Sequence, residues 1–539
     1  MFSISRLYAT LFDSPLGLLQ LLSGTVLLVI LGCQPDQTPA KPHLVGPSFS
    51  GVPTPPQIAV DRASLPTPVA DPRERAMEAG EACARCHIPP PPDALPKEEW
   101  GPQILQMATM PLPAGVDALD LQELADSIAH YEENAPSEWR VDPPQESGSK
   151  PQYRVAEYTP APLVSERIPA VSFLTWSIPE EGAAPHLLAA EMRSGTILRL
   201  SPQASAPTDL GLDAPIRWNY PGHIAHGDIN QDGRLDRIVA GLGGLNPTRD
   251  ESGGVQILVA GESRPRNVGP PSNRVSDAQS TDLDGDGDTD LLVAAFGWRG
   301  EGQLMWYEQT EPFRFVARSI DERDGFIHVA PEDLDGDGDV DFAAVLAQEF
   351  EEVIVFVNEG GGSFRPIVVE KGPHPGWGYS GLRLVDLDGD GDSDFLVTHG
   401  DTLDVAVVKP YHGVGWIENL GNLRFQSHEI GSLPGCECAA FGDADSDGDL
   451  DVVAVSWMPQ LDPDRWPIEQ LDSVVLFERV GEGWRRHVLE RGNPLHAAVE
   501  MGDLDGDGDQ DIAVGNYVWM EEDGVPRQRR DYLTVFYRE

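Results

Sequence analysis

Asp282-Leu283-Asp284-Gly285-Asp286-Gly287-Asp288-Thr289-Asp290 runs directly into the apolar stretch Leu291-Leu292-Val293. Carboxylates at alternate positions, with a glycine turn at the sixth, wrap oxygens around a hard cation such as Ca²⁺, and position 7 adds a backbone carbonyl. The pattern occurs six times. The first copy carries Asp228, Asn230, Asp232, Arg234 and Asp236, and the second Asp282, Asp284, Asp286, Asp288 and Asp290. Asp333, Asp335, Asp337, Asp339 and Asp341 form the third, and Asp386, Asp388, Asp390, Asp392 and Asp394 the fourth. The last two are Asp443, Asp445, Asp447, Asp449, Asp451 and Asp503, Asp505, Asp507, Asp509, Asp511. Successive starts lie 54, 51, 53, 57 and 60 residues apart, a supersecondary period. The six loops hold 28 acidic residues, so up to six bound calcium ions would relieve a local repulsion. An EF-hand would need Glu at position 12 and helices on both sides; Val293 stands there, and the runs that follow read as buried strands.

Each unit continues with a second strand pattern, such as Val353-Ile354-Val355-Phe356-Val357-Asn358 or Gly415-Trp416-Ile417-Glu418-Asn419. A glycine-rich turn and a further strand follow, as in Gly361-Gly362-Ser363-Phe364. Four short strands in about 50 residues describe a propeller blade. These repeats resemble the FG-GAP/VCBS family, whose members form calcium-bearing β-propellers. Val171 to Trp176, continuing through His186 to Leu200, looks like a blade without the acidic loop. The expectation is a mainly β chain, a seven-bladed calcium-binding β-propeller over 171–539, closed without free sheet edges. The resemblance also implies that the strand entering each loop is innermost. Residues five to seven positions before the loops then line a channel: His223, His328, His496 and Cys436, with Cys438 and His226 nearby. Imidazole and thiol at one mouth suit a transition metal, whereas ordinary packing is the bland alternative. Joint oxidation of Cys436 and Cys438 is a further alternative.

Ahead of the repeats, Cys83-Ala84-Arg85-Cys86-His87 is a CxxCH, the attachment signature of c-type haem. Two thiols at this spacing reach the two vinyl groups of one porphyrin, and His87 falls beneath the iron. The segment Leu95–Met107 reads as a helix with Trp100, Ile104 and Met107 on one face, and a second helix runs from Leu119 to Asn134. Small c-type cytochromes often use a Met-Pro methionine as sixth ligand. That resemblance favours Met110, the helical face favours Met107, and His130 is a third option. The CxxCH, the Pro89–Pro92 run with Trp100, and the repeats together resemble bacterial FG-GAP/VCBS proteins carrying a small cytochrome c domain. A small α-helical cytochrome c-like module is expected over 72–139, followed by a linker over 140–170.

The apolar run Leu16–Leu31 before Gly32-Cys33 has the length of a secretory segment and resembles a bacterial lipobox. The reading is a lipoprotein-type signal over 1–33 and an exported chain, periplasmic or at the cell surface, tethered to membrane by lipid at Cys33. Residues 34–71 hold nine prolines and read as an extended spacer. Acids outnumber bases 88 to 38, and this charge of −50 repels phosphate backbones, so nucleic acid is not an expected partner. A second concentration of chemistry, Trp377, Tyr379, His399, Asp401, Asp404, Lys409, Tyr411, His412 and Trp416, reads either as a polar pocket for a sugar or peptide or as exposed loop chemistry. The leading expectation is a c-type cytochrome passing electrons through one haem to a redox partner protein. The alternatives are a surface module recognising carbohydrate or protein, and a propeller dehydrogenase, which would need a second redox centre.

Overall fold

The computed structural model describes residues 62–539 apart from 86, 110–116, 140–150, 161–167, 178–184, 202–210, 215, 247–251, 298–300, 349 and 520–530. The expected signal segment with Cys33, most of the spacer, Cys86 and Met110 lie outside the described residues. Among the described residues no helix is long and apolar enough to cross a membrane.

The described strands form seven four-stranded antiparallel sheets. Blades one to seven begin with Val171–Trp176, Pro221–Gly227, Val275–Thr281, Phe326–Glu332, Tyr379–Val385, Cys436–Gly442 and His496–Gly502. Each first strand lies beside the first strand of the next blade, and His496–Gly502 lies beside Val171–Trp176, so the ring closes. The protein is a seven-bladed β-propeller, and the segment from Val171 is its loop-free blade. One boundary is corrected. Tyr153–Tyr158, placed in the linker from sequence, pairs with Leu533–Arg538 as the outer strand of blade seven. The early strand fills an edge that the C-terminal segment would otherwise leave unpaired. Its exposed, polar Arg154 and Glu157 hid it.

Second strands such as Asp290–Ala295 and Asp341–Leu346 are buried along their whole length and apolar after the leading aspartate. Both faces of each blade are covered by neighbours, so the alternation of a half-exposed strand is lost. Outer strands such as Phe364–Lys371 keep exposed positions. Phe342 stacks on Phe356 at 4.8 Å within one of the inter-blade cores. Every first strand carries a register shift between the residues equivalent to seven and five before the loop. The extra residue of such a bulge re-aims the side chains around it. In alternate blades it is a serine whose hydroxyl donates to the next inner strand: Ser172 to Pro221 O, Ser276 to Phe326 O and Ser380 to Cys436 O, at 2.9–3.0 Å.

The segment before the ring contains three α-helices among the described residues: α1 Pro72–Cys83, α2 Lys97–Met107 and α3 Leu121–Asn134. Asp71 caps α1 through the Arg73 N–H, and Asp120 with Glu123 forms a reciprocal capping box on α3. The helices share one apolar core, in which Trp100 stacks on Tyr131 at 4.1 Å. The end of the expected spacer is part of this unit: Leu65 packs on it, and the Val69 N–H donates to Asp126 at 2.6 Å. Val405, Val407 and Trp466 from the propeller complete the core. A module this small buries a low fraction of its surface and is marginal by itself, so the propeller residues add to its core.

Candidate functional site

The six acidic loops join first strand to second. Position 9 is the first residue of the second strand and is buried in every copy. Asp290 shows why. Its Oδ2 accepts from the Leu283 N–H at 3.2 Å and its Oδ1 from the Gln309 N–H of the third strand at 2.7 Å, so one carboxylate latches the loop to the blade. The same pair of bonds recurs at Asp236, Asp341, Asp394, Asp451 and Asp511. Asp282 at position 1 accepts from Gly285 and Gly287 N–H groups at 2.9 and 3.0 Å. Gly287 has φ +92° with open space around a would-be Cβ, so the backbone conformation rather than crowding requires glycine.

The carboxylates of Asp282, Asp284 and Asp290 converge with their donor oxygens within 4.8 Å of one another, as do Asp333/Asp335/Asp341, Asp386/Asp388/Asp394 and Asp443/Asp445/Asp451. The convergent positions are thus 1, 3 and 9. At position 5, Asp286 turns an oxygen to the Asp288 N–H at 2.8 Å. At position 7 of the first loop, the Arg234 side chain leaves for the Ala260 carbonyl, in keeping with a backbone-only role. Burial pushes Asp290, Asp394 and Asp511 up to about 6 and Asp451 to about 7, despite their backbone donors. A convergent all-oxygen donor set held by backbone bonds suits a hard cation.

At the CxxCH, Cys83 ends α1 and the His87 N–H donates to the Cys83 carbonyl at 3.3 Å, which keeps the motif within one turn of the helix end. His87 Nδ1 lies 2.9 Å from the Ile88 carbonyl. A carbonyl can only accept, so the proton sits on Nδ1 and the Nε2 lone pair is left for a metal. Burial lowers the His87 pKa, so the ring is neutral near pH 7. Tyr131 donates from α3 to the Pro90 carbonyl at 3.1 Å with Cys83 Sγ at 3.6 Å, tying the motif to the core. Met107 is the half-buried last residue of α2, and His130 lies on α3 beside Asn134. Of the motif's described residues, Cys83 and His87 offer the thiol and the imidazole nitrogen that a covalent haem would require.

The aromatic and charged group around blade five is largely buried, and Tyr379 and Asp401 of it line the central cavity. Lys409 and His412 are wholly buried. The Lys409 ammonium donates to Asp404 Oδ1, to the Asp401 carbonyl and, at 3.4 Å, to the Gly376 carbonyl. Trp377 stacks on His399 at 4.1 Å, and Trp416 faces a separate core beside His428. The group builds the seat of the helices: Tyr411 Oη donates to the Ala94 carbonyl at 3.2 Å, Trp139 packs edge-on against Tyr411, and Arg465 pairs with Glu98 and Glu99. Residues 400–412 and 457–471 join second strands to third, so the helices sit on the face opposite the acidic loops.

The expected channel ring divides at the bulge. Residues five before five of the loops, among them His223, His328 and Cys438, line a cavity of about 660 Å³ in the central channel, whereas Ala498 packs in a core. Residues seven before are turned into the blade cores. Cys436 lies in an apolar cluster with Val414 and Phe477, and buried His496 meets Glu490 and Asn493. Cys436 and Cys438 therefore face different surroundings and are not disulfide-bonded. The cavity is also lined by buried Asp277, which sequence reasoning missed although it too stands five before its loop. Glu437, with its carboxyl pushed up to about 8 by burial and by Asp401, lines the same space.

Residues 282–344 and 333–397 match a family model described as FG-GAP-like repeat, and residues 497–528 match the FG-GAP repeat model. No curated protein matches the chain.

Proposed function

We propose that this propeller of FG-GAP repeats is an exported, lipid-anchored c-type cytochrome, with one haem on Cys83, Cys86 and His87 and calcium in up to six acidic loops. The observation that carries the reading is His87, one turn from Cys83, with Nδ1 directed to the Ile88 carbonyl and Nε2 available. Bound there, the haem would supply one-electron redox chemistry. Cys83 and Cys86 would hold the group through their thiols, His87 would ligate it through Nε2, and Met107, Met110 or His130 would supply a further ligand. Tyr411, Arg465 and the shared core hold the helices in one orientation on the ring, a fixed presentation to a partner protein. The test is chain matured in a host that attaches c-type haem. A haem absorption spectrum that survives denaturation, is lost with Cys83→Ser, and shifts reversibly on mixing with a small reduced cytochrome is expected. Protein carrying no covalent porphyrin overturns the reading.

A second reading, a surface module for carbohydrate or protein, draws support from the channel-mouth cavity, where Trp457, Tyr517 and Trp519 stand beside Arg383 and Glu437. Its test is binding of glycans and peptides by the full chain, with Trp519→Ala as control.

A further inference from the structure

We propose that His223, Asp277 and His328 bind one divalent first-row transition-metal ion at the channel mouth. The three belong to successive inner strands, of blades two, three and four, and each lies five residues ahead of its acidic loop. The repeat thus delivers them to the same height, toward the face that carries the helices. Their donor atoms all lie within 4.8 Å of one another. His223 Nδ1 is 3.0 Å from Asp277 Oδ1, and His328 Nδ1 is 3.5 Å from Asp277 Oδ2. An ion at about 2.0–2.2 Å from each donor holds its neighbours roughly 3–4 Å apart, so small side-chain rotations complete the shell.

A separate observation points to a ligand. His223 is only 8% exposed, yet its Nδ1 makes no hydrogen bond, although a carboxylate oxygen stands beside it. An imidazole nitrogen this close to a carboxylate oxygen, yet misaligned for an N–H bond to it, is satisfied by a cation that both donors share. The surroundings brace the three groups as a metal site requires. The Gln279 amide donates to Asp277 Oδ1 at 3.0 Å, the Val329 N–H donates to Oδ2 at 3.1 Å, and the Phe173 ring lies 3.9 Å from the His223 ring. Two imidazoles with one carboxylate select a transition ion over calcium, which takes oxygen donors. Three protein ligands leave coordination positions open toward the cavity.

The full chain, kept in excess Ca²⁺ to fill the acidic loops, would be titrated with Zn²⁺ by calorimetry. One tight site per chain is expected, weakened at least 10- to 100-fold in Asp277→Asn and in His328→Gln, with melting in Ca²⁺ as the folding control. X-ray absorption at the zinc edge of the unaltered protein reads the same site without any variant and should return two imidazoles and no sulfur. Absence of a tight site, an affinity indifferent to both substitutions, or a shell without imidazole overturns the proposal.

Discussion

At the scale of the residue, burial sets the chemistry. His399 and His374 sit among the aromatic groups beneath the helices, and burial pushes them down to about 3 and about 4. An unfolded histidine takes up a proton near pH 6.5, and these folded ones do not. The unfolded state therefore binds more protons below that pH, and stability falls as pH drops, by at most about 1.4 kcal/mol per pH unit for each histidine. Thermal melts in Ca²⁺ from pH 7 to 5 should show the decline, and His399→Phe should flatten it; an unchanged slope would contradict the assignment. Gly287→Ala tests the loop turn. Nothing crowds the new Cβ, so a loss of about 1–2 kcal/mol in denaturant unfolding is expected from the positive φ alone.

At the scale of the element, each acidic loop is a latch joined to the third strand of its own blade and, in several blades, to the third strand of the blade that follows. Asn358 donates to the Leu283 carbonyl at 2.9 Å, and Gln309 donates to the Ile229 carbonyl at 3.0 Å. Calcium bound only by the folded loops would add about 2.7 kcal/mol per site at a hundred times its Kd. Chelation should therefore lower the melting temperature of the propeller, and identical melts with and without chelator would argue against occupancy. The helical unit is an element of another kind, since its core is finished by the ring. Val407→Asp places an unpaired carboxylate in that core, at a cost of several kcal/mol. Proteolysis within 72–139 should then accelerate while the propeller's own melt moves little. Equal protection would mean that the helices hold themselves together.

The whole molecule is a ring closed by a strand from ahead of it. A chain beginning at residue 171 lacks the partner of Leu533–Arg538 and leaves that ladder unpaired. It should melt well below the full chain and self-associate in light scattering; a monomer of unchanged stability would remove the role assigned to Tyr153–Tyr158. The sequence by itself determined the blade count, the acidic loops and two of the three helices, because a fixed ligand spacing and an unbroken apolar run are local patterns. It also placed the CxxCH. Only the tertiary structure decided which channel candidates share a space, since one bulge residue in every inner strand separates His223 and His328 from His496 and Cys436. It alone set Asp277 between two imidazoles and turned the apparent loop pocket of blade five into the seat of the helices. Those contacts join residues dozens to hundreds of positions apart, and their distances depend on how the blades close, which no local pattern records.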